Sequence, residues 1–156
     1  MSIAARIVEI LTKNGQKIAI AESLTGGALC AAIVAISGAS AVLDEAMTTY
    51  SNAAKITRLG VLSKTLATHG AVSAQCAAEM AEGIAKTAGA DIGISTTGIA
   101  GPGGATVEKP VGLVFIGVYY NGKSTTYKYE FQGDRREVIG QVVEVGLEIL
   151  YQNLKG

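Results

Sequence analysis

Apolar residues recur along this chain in two periods, and the switches between them lay out its elements. Ile3, Ile7, Ile10 and Leu11 fall at helical spacing, with a stop at Asn14-Gly15, so a helix is predicted from Ile3 to Leu11. Ile18 to Ala21 is short and apolar throughout, as in a strand buried on both faces of a parallel sheet. Thr25 to Ser37 reads as a helix ended by Gly38, and Ala46 to Tyr50 as a second strand; Ala39 to Glu45 between them carries no clear pattern. Ser51-Asn52 caps a helix through Leu59, which Gly60 ends. A short helix from Ser63 to Thr68 precedes a long one that Ser73 caps, running to Ala88 with Ala77, Met80 and Ile84 on one face. Asp91 to Thr97 reads as a central strand, followed by a glycine-rich loop from Gly98 to Gly104. Two β-rich runs, Val111 to Tyr120 and Ser124 to Phe131, flank Asn121-Gly122, a strong hairpin signal. Gly133-Asp134 opens a last helix with an apolar stripe of Val138, Val142, Val145, Leu147 and Leu150.

The order is α-β-α-β-α-α-α-β-β-β-α. Alternation in the first two-thirds implies right-handed crossovers and a parallel core, and the hairpin makes the sheet mixed, an α/β fold. At 156 residues, without repeat, linker or low-complexity segment, the expectation is one domain over residues 1–156. Ligands of such open sheets gather at the carboxyl ends of the parallel strands. Ser23, Tyr50 and the stretch from Thr97 to Gly104 all fall at that rim.

Composition narrows the classes. Thirteen basic residues balance thirteen acidic ones, so no basic field points to nucleic acid and no polybasic stretch to a membrane surface. The apolar runs are too short and interrupted to span a bilayer, and Met1 to Arg6 lacks the look of a signal peptide. Cys30 and Cys76 stand alone among alanines and read as small buried hydrophobes, which suits a reducing cytoplasm. With one histidine they cannot make a zinc site without carboxylates.

Ala21-Glu22-Ser23-Leu24-Thr25-Gly26-Gly27 joins the first strand to the second helix. Two readings stand there: Ser23 or Thr25 caps the helix, or the corner presents Ser23 as a nucleophile beside N–H groups that hold an anion or an oxyanion. A serine nucleophile needs a base. His69, the only histidine, reads as part of a helix C-terminus, and no G-x-S-x-G elbow is present. Lys55, one turn into the helix after the second strand, becomes a base if burial leaves its amine neutral. The glycine loop is an anion nest or a plain connector; it is neither a P-loop nor a dinucleotide fingerprint. Lys109 and Arg135 are candidate cations for a phosphate, or surface charges.

Five segments carry a resemblance: Ala21 to Gly27, Thr49-Tyr50-Ser51-Asn52-Ala53-Ala54-Lys55, His69-Gly70-Ala71-Val72-Ser73, Thr97 to Gly104, and Glu108-Lys109-Pro110-Val111-Gly112. In this order they closely resemble the CinA C-terminal-domain family, which includes bacterial nicotinamide mononucleotide deamidases. The resemblance runs through Gly133-Asp134-Arg135. It implies a three-layer α/β/α sandwich with a five-stranded mixed, mainly parallel sheet. It also implies a Ser/Lys amidohydrolase releasing ammonia and nicotinate mononucleotide, with no metal or other cofactor. Ser23, Lys55 and Tyr50 match the family's catalytic serine, lysine and tyrosine. The expected substrate contacts are Thr25, Gly26, Gly27, Asn52, Thr97, Gly98, Gly101, Gly103, Gly104, Lys109 and Arg135. The partner expected is a small-molecule nucleotide, with neither nucleic acid nor membrane, and a homo-oligomer, a dimer first, is the assembly favoured. Some positions depart from the family: Asp44-Glu45-Ala46 replaces a glycine-rich approach to the second strand, Val107 a common proline, and Ile139 a frequent arginine. Two rivals remain, a nucleotide- or partner-binding domain without turnover, and a Ser/Lys hydrolase of another amide.

Overall fold

The computed structural model describes residues 1–156. Its elements are α1 (Ile3–Asn14), β1 (Ile18–Glu22), α2 (Ala28–Val34), a 3-10 turn (Ala39–Ala41), β2 (Leu43–Thr48), α3 (Asn52–Leu59), α4 (Ser63–His69), α5 (Ala74–Ala88), β3 (Ile92–Gly98), β4 (Leu113–Tyr120), β5 (Lys123–Glu130) and α6 (Arg135–Lys155). Apart from the 3-10 turn, the order is the one the hydrophobic pattern predicts. Ser51, Ser73 and Asp134 cap α3, α5 and α6 with side-chain hydrogen bonds, so these starts are set locally.

Two elements differ from expectation. The helix expected over Thr25 to Ser37 is only Ala28–Val34. Gly26 and Gly27 take φ values of 58° and 105°, outside the right-handed helical region, so the chain turns before α2 begins. The strand expected over Ala46 to Tyr50 starts earlier, at Leu43, in parallel register with Ile18. Its half-buried positions are Leu43, Glu45 and Met47, but the register with β1 shifts after Ile18, so Leu43 packs into one core layer and Met47 into the other, and with a glutamate between them no single apolar period shows.

The sheet order is β2-β1-β3-β4-β5. β1 pairs in parallel with β2 and β3, while β4 runs antiparallel to both its neighbours, so every strand but β4 points the same way. Alternate side chains feed two faces. Ile18, Ile20, Ile92, Ile94, Val114, Ile116 and Val118 pack against α1, α2 and α6 through residues such as Ile7, Leu29, Val138 and Val142. On the other face Ala19 and Ala21 meet Leu59 of α3 and Cys76, Met80 and Ile84 of α5. These layers form an α/β/α sandwich.

The α5 face is built from small residues, which lets the helix lie very close to the sheet. A Cβ at Gly93 would stand 2.0 Å from the Ala81 carbonyl oxygen, and one at Gly117 2.4 Å from that of Ala77. The Ser95 hydroxyl donates to the same Ala77 oxygen at 2.6 Å. Because α5 runs back along β3, its leading residues Ala71 to Ser73 arrive at the carboxyl end of that strand. There the Thr97 hydroxyl donates to the Ala71 carbonyl at 2.8 Å. No helix is long and apolar enough to cross a membrane.

Candidate active site

A cleft of about 250 Å³ opens where β1 and β3 end. It is lined by Ser23 and Leu24 after β1, Tyr50, Asn52 and Lys55 around the start of α3, Ala71 and Val72 before α5, Thr97 and the glycine loop after β3, and Arg135. These come from five separate stretches of chain, and the parallel crossovers bring them to one rim.

Lys55 is the most unusual residue in it. Its side chain is 1% exposed although no carboxylate lies within ion-pair distance. Nζ stands 2.8 Å from the Thr49 carbonyl oxygen, 3.2 Å from that of Tyr50 and 3.1 Å from Ser23 Oγ. An ammonium donates to all three. A neutral amine keeps two N–H bonds on the carbonyls and turns its lone pair to the Ser23 hydroxyl. Burial lowers the Lys55 pKa below the ordinary lysine value; a Cys76 thiolate would oppose this. Burial also pushes the Cys76 thiol up to about 11, so it is uncharged at neutral pH and supplies no counter-charge. The shift is toward the neutral amine, beside a serine residue that is itself 8% exposed.

The glycine loop contributes backbone. Ala100, Gly101, Gly103 and Gly104 line the cleft, and their amides have no acceptor within the chain. Arg135 ties this loop to the opposite wall: its guanidinium donates to the Gly101 carbonyl at 2.7 Å and to the Tyr50 hydroxyl at 3.1 Å. The Tyr50 side chain is thus engaged at the rim, 60% exposed, and it is the Tyr50 carbonyl that reaches Lys55. Asn52, Thr97, Gly98, Gly101, Gly103, Gly104 and Arg135 all lie in the cleft wall.

Four expected substrate contacts lie elsewhere. Thr25, Gly26, Gly27 and Lys109 do not line the cleft. The reason lies in Glu22, a buried residue that sequence reasoning passed over. Its carboxylate accepts from the Leu29 and Cys30 amides at 2.8 and 3.0 Å, so the N-terminus of α2 holds the chain's own anion. Neither Ser23 nor Thr25 caps α2, and that end has no room for a phosphate. Thr25 is buried against Glu22 and Thr96, and the Gly26 amide donates to the Ser23 carbonyl at 3.0 Å. Lys109 donates instead to the His69 carbonyl at the C-terminus of α4, where a cation suits the helix dipole. The amides of Leu24, Thr25 and Gly27 have no acceptor in the chain, and of these three residues only Leu24 lines the cleft.

Leu24, Ala71, Val72, Ile99 and Ala100 line the cleft without having been singled out. They are apolar or small, and only their place in the fold marks them. Asp44, Glu45 and Ala46 lie on the edge strand, Val107 is fully exposed, and Ile139 packs against the core; none lines the cleft.

Comparison with known proteins places this arrangement. A Clostridium tetani protein named as competence-damage inducible is 52% identical over 148 residues, 95% of this chain and 36% of the relative. The chain therefore spans about a third of that relative's length. Among solved structures, a competence/damage-inducible protein from Agrobacterium tumefaciens is 40% identical with a TM-score of 0.95, covering 99% of this chain and 94% of that one. A CinA superfamily protein from Klebsiella pneumoniae is 37% identical with a TM-score of 0.94, covering 98% and 96% of the two chains. The family of the CinA C-terminal domain matches residues 1–154, so sheet, helical layers and cleft all fall inside the match, and the chain belongs to that family.

Proposed function

We propose that this chain is an amidohydrolase that converts nicotinamide mononucleotide to nicotinate mononucleotide and ammonia through an acyl-enzyme on Ser23. The observation that carries the reading is Lys55: a buried amine without an anion, held by two carbonyls with Nζ 3.1 Å from a serine hydroxyl. That is the arrangement a lysine general base needs. The choice of substrate follows the family resemblance.

In the first half-reaction Lys55 takes the Ser23 proton as Oγ bonds to the carboxamide carbon. The free amide of Leu24, which lines the cleft beside Ser23, is the candidate oxyanion donor; losing such a donor typically costs about 3–4 kcal/mol. Collapse of the tetrahedral adduct breaks the C–N bond, and the Lys55 ammonium returns its proton to the departing ammonia. Lys55, neutral again, then deprotonates a water that attacks the acyl carbon, and Ser23 leaves with that proton. The loop amides and Arg135 suit the substrate phosphate, in a cleft also walled by Ala71 and Val72.

Ammonia release from nicotinamide mononucleotide, free nicotinamide and glutamine tests the proposal. Release from the mononucleotide alone, lost in Ser23→Ala and Lys55→Met, is the result expected. Release from glutamine instead points to another amide. No release from any of the three, with the mononucleotide still bound, makes the domain a binding module.

A further inference from the structure

The Ser23 mechanism leaves one buried charge unused. Glu22 is 1% exposed and, like Lys55, has no ion-pair partner. A carboxylate only accepts, so the Thr25 hydroxyl, 2.6 Å from Glu22 Oε1, must donate to it. The Thr25 oxygen is then left as acceptor for the Thr96 hydroxyl, 2.8 Å away. Thr96 in turn holds the nucleophile's backbone: the Ser23 amide donates to the Thr96 carbonyl at 3.0 Å and approaches its hydroxyl at 3.4 Å. Thr25 and Thr96 are 4% and 0% exposed, so water does not compete for these bonds.

Resting on the Ser/Lys reading, we infer that Glu22 is a positioning residue for the nucleophile, acting through a directed relay from Thr96 to Thr25 to Glu22. The carboxylate fixes the sense of every hydroxyl in the relay. It also ties α2 to the turn through the Leu29 and Cys30 amides. The turn bearing Ser23 is thus clamped on both sides, to β3 by Thr96 and to α2 by Glu22. Glutamine at position 22 offers one acceptor oxygen where two are used, and sets an NH2 group against a donor. The relay then loses its direction and Ser23 its fixed distance from Lys55.

Ser23 reactivity is measured with a fluorophosphonate probe, which needs no knowledge of the substrate. Oγ bonds to phosphorus, fluoride leaves, and the hydroxyl proton passes to Lys55. Labelling is followed against probe concentration for wild type, Glu22→Gln, Thr25→Val and Thr25→Ser, with a thermal melt of each. A small displacement of a nucleophile has a large kinetic effect, so Glu22→Gln and Thr25→Val should lower the saturating rate by about tenfold or more. The half-saturating concentration should stay unchanged, and Thr25→Ser, which keeps the hydroxyl, should recover the rate. Where Glu22→Gln or Thr25→Val does not melt cooperatively, Thr96→Val decides the matter by the same readouts, because it breaks the relay and leaves the α2 contacts intact. A folded Thr25→Val or Thr96→Val labelled at the wild-type saturating rate overturns the positioning role alone. Wild type that is not labelled at Ser23 overturns the Ser/Lys reading, and the positioning role with it.

Discussion

On the proposed mechanism, Lys55 concentrates the chemistry and the energetic cost in one side chain. Its folded pKa lies below the unfolded value of about 10.4, so the unfolded chain holds the proton more tightly. The penalty on stability is full below the folded pKa, shrinks as pH rises through it, and vanishes above the unfolded value. Lys55→Met keeps the apolar stem and removes the charge. Thermal melts across pH should therefore find it at least as stable as wild type near neutrality, with the difference closing toward alkaline pH. Ammonia release should be abolished, and the wild-type rate should rise with pH as Lys55 loses its proton; a flat profile would contradict a lysine base. Ser23→Ala should also be inactive but folded, because Lys55 keeps its two carbonyl acceptors. Measurable ammonia release by the alanine variant would remove Ser23 from the mechanism.

Within single elements, the glycine loop and the α5 face separate two uses of a missing side chain. Gly101 has a φ of 84°, and a Cβ there would stand 2.5 Å from Val111 Cγ1. Gly103 lies in the same cleft wall with open space around a would-be Cβ and no positive φ. Gly101→Val should thus lower the melting temperature, while Gly103→Val should melt like wild type yet raise KM for the nucleotide. An unchanged KM in Gly103→Val would make the loop a connector. Gly93 belongs to the packing class. Gly93→Ala pushes a methyl into the Ala81 carbonyl and should cost about 1–3 kcal/mol or more, read from the midpoint of urea unfolding.

The whole molecule holds its cleft at the meeting of parallel strand ends, so ligand binding and global stability are linked. The Ser23→Ala protein, unable to turn over, should gain about 2.7 kcal/mol of stability at a nucleotide concentration a hundred times its Kd. Free nicotinamide, without the phosphate that loop and Arg135 suit, should give far less at the same concentration. Equal shifts from both ligands would place recognition in the nicotinamide moiety alone. Such a titration reads the folded assembly of five stretches, none of which makes a site by itself.

The sequence alone determined the elements and the chemical candidates. Helix caps at Ser51, Ser73 and Asp134, the Asn121-Gly122 hairpin and the apolar run of β1 are local signals whose energetics act within a few residues. The Ala21 to Gly27 and Tyr50 to Lys55 motifs pointed to a serine and a lysine. Tertiary structure decided the rest. A half-buried glutamate and a register shift made the start of β2 illegible, because only pairing with β1 shows where the register changes. Glu22 looked like one more polar residue at a strand end, and became the α2 cap only once Gly26 and Gly27 had turned the helix back over it. Lys109 looked like a phosphate cation and found a helix carbonyl instead. Lys55 itself could be judged only in place. A lysine's charge depends on what surrounds Nζ, and its surroundings come from β1 and the approach to α3, which meet only when the sheet assembles.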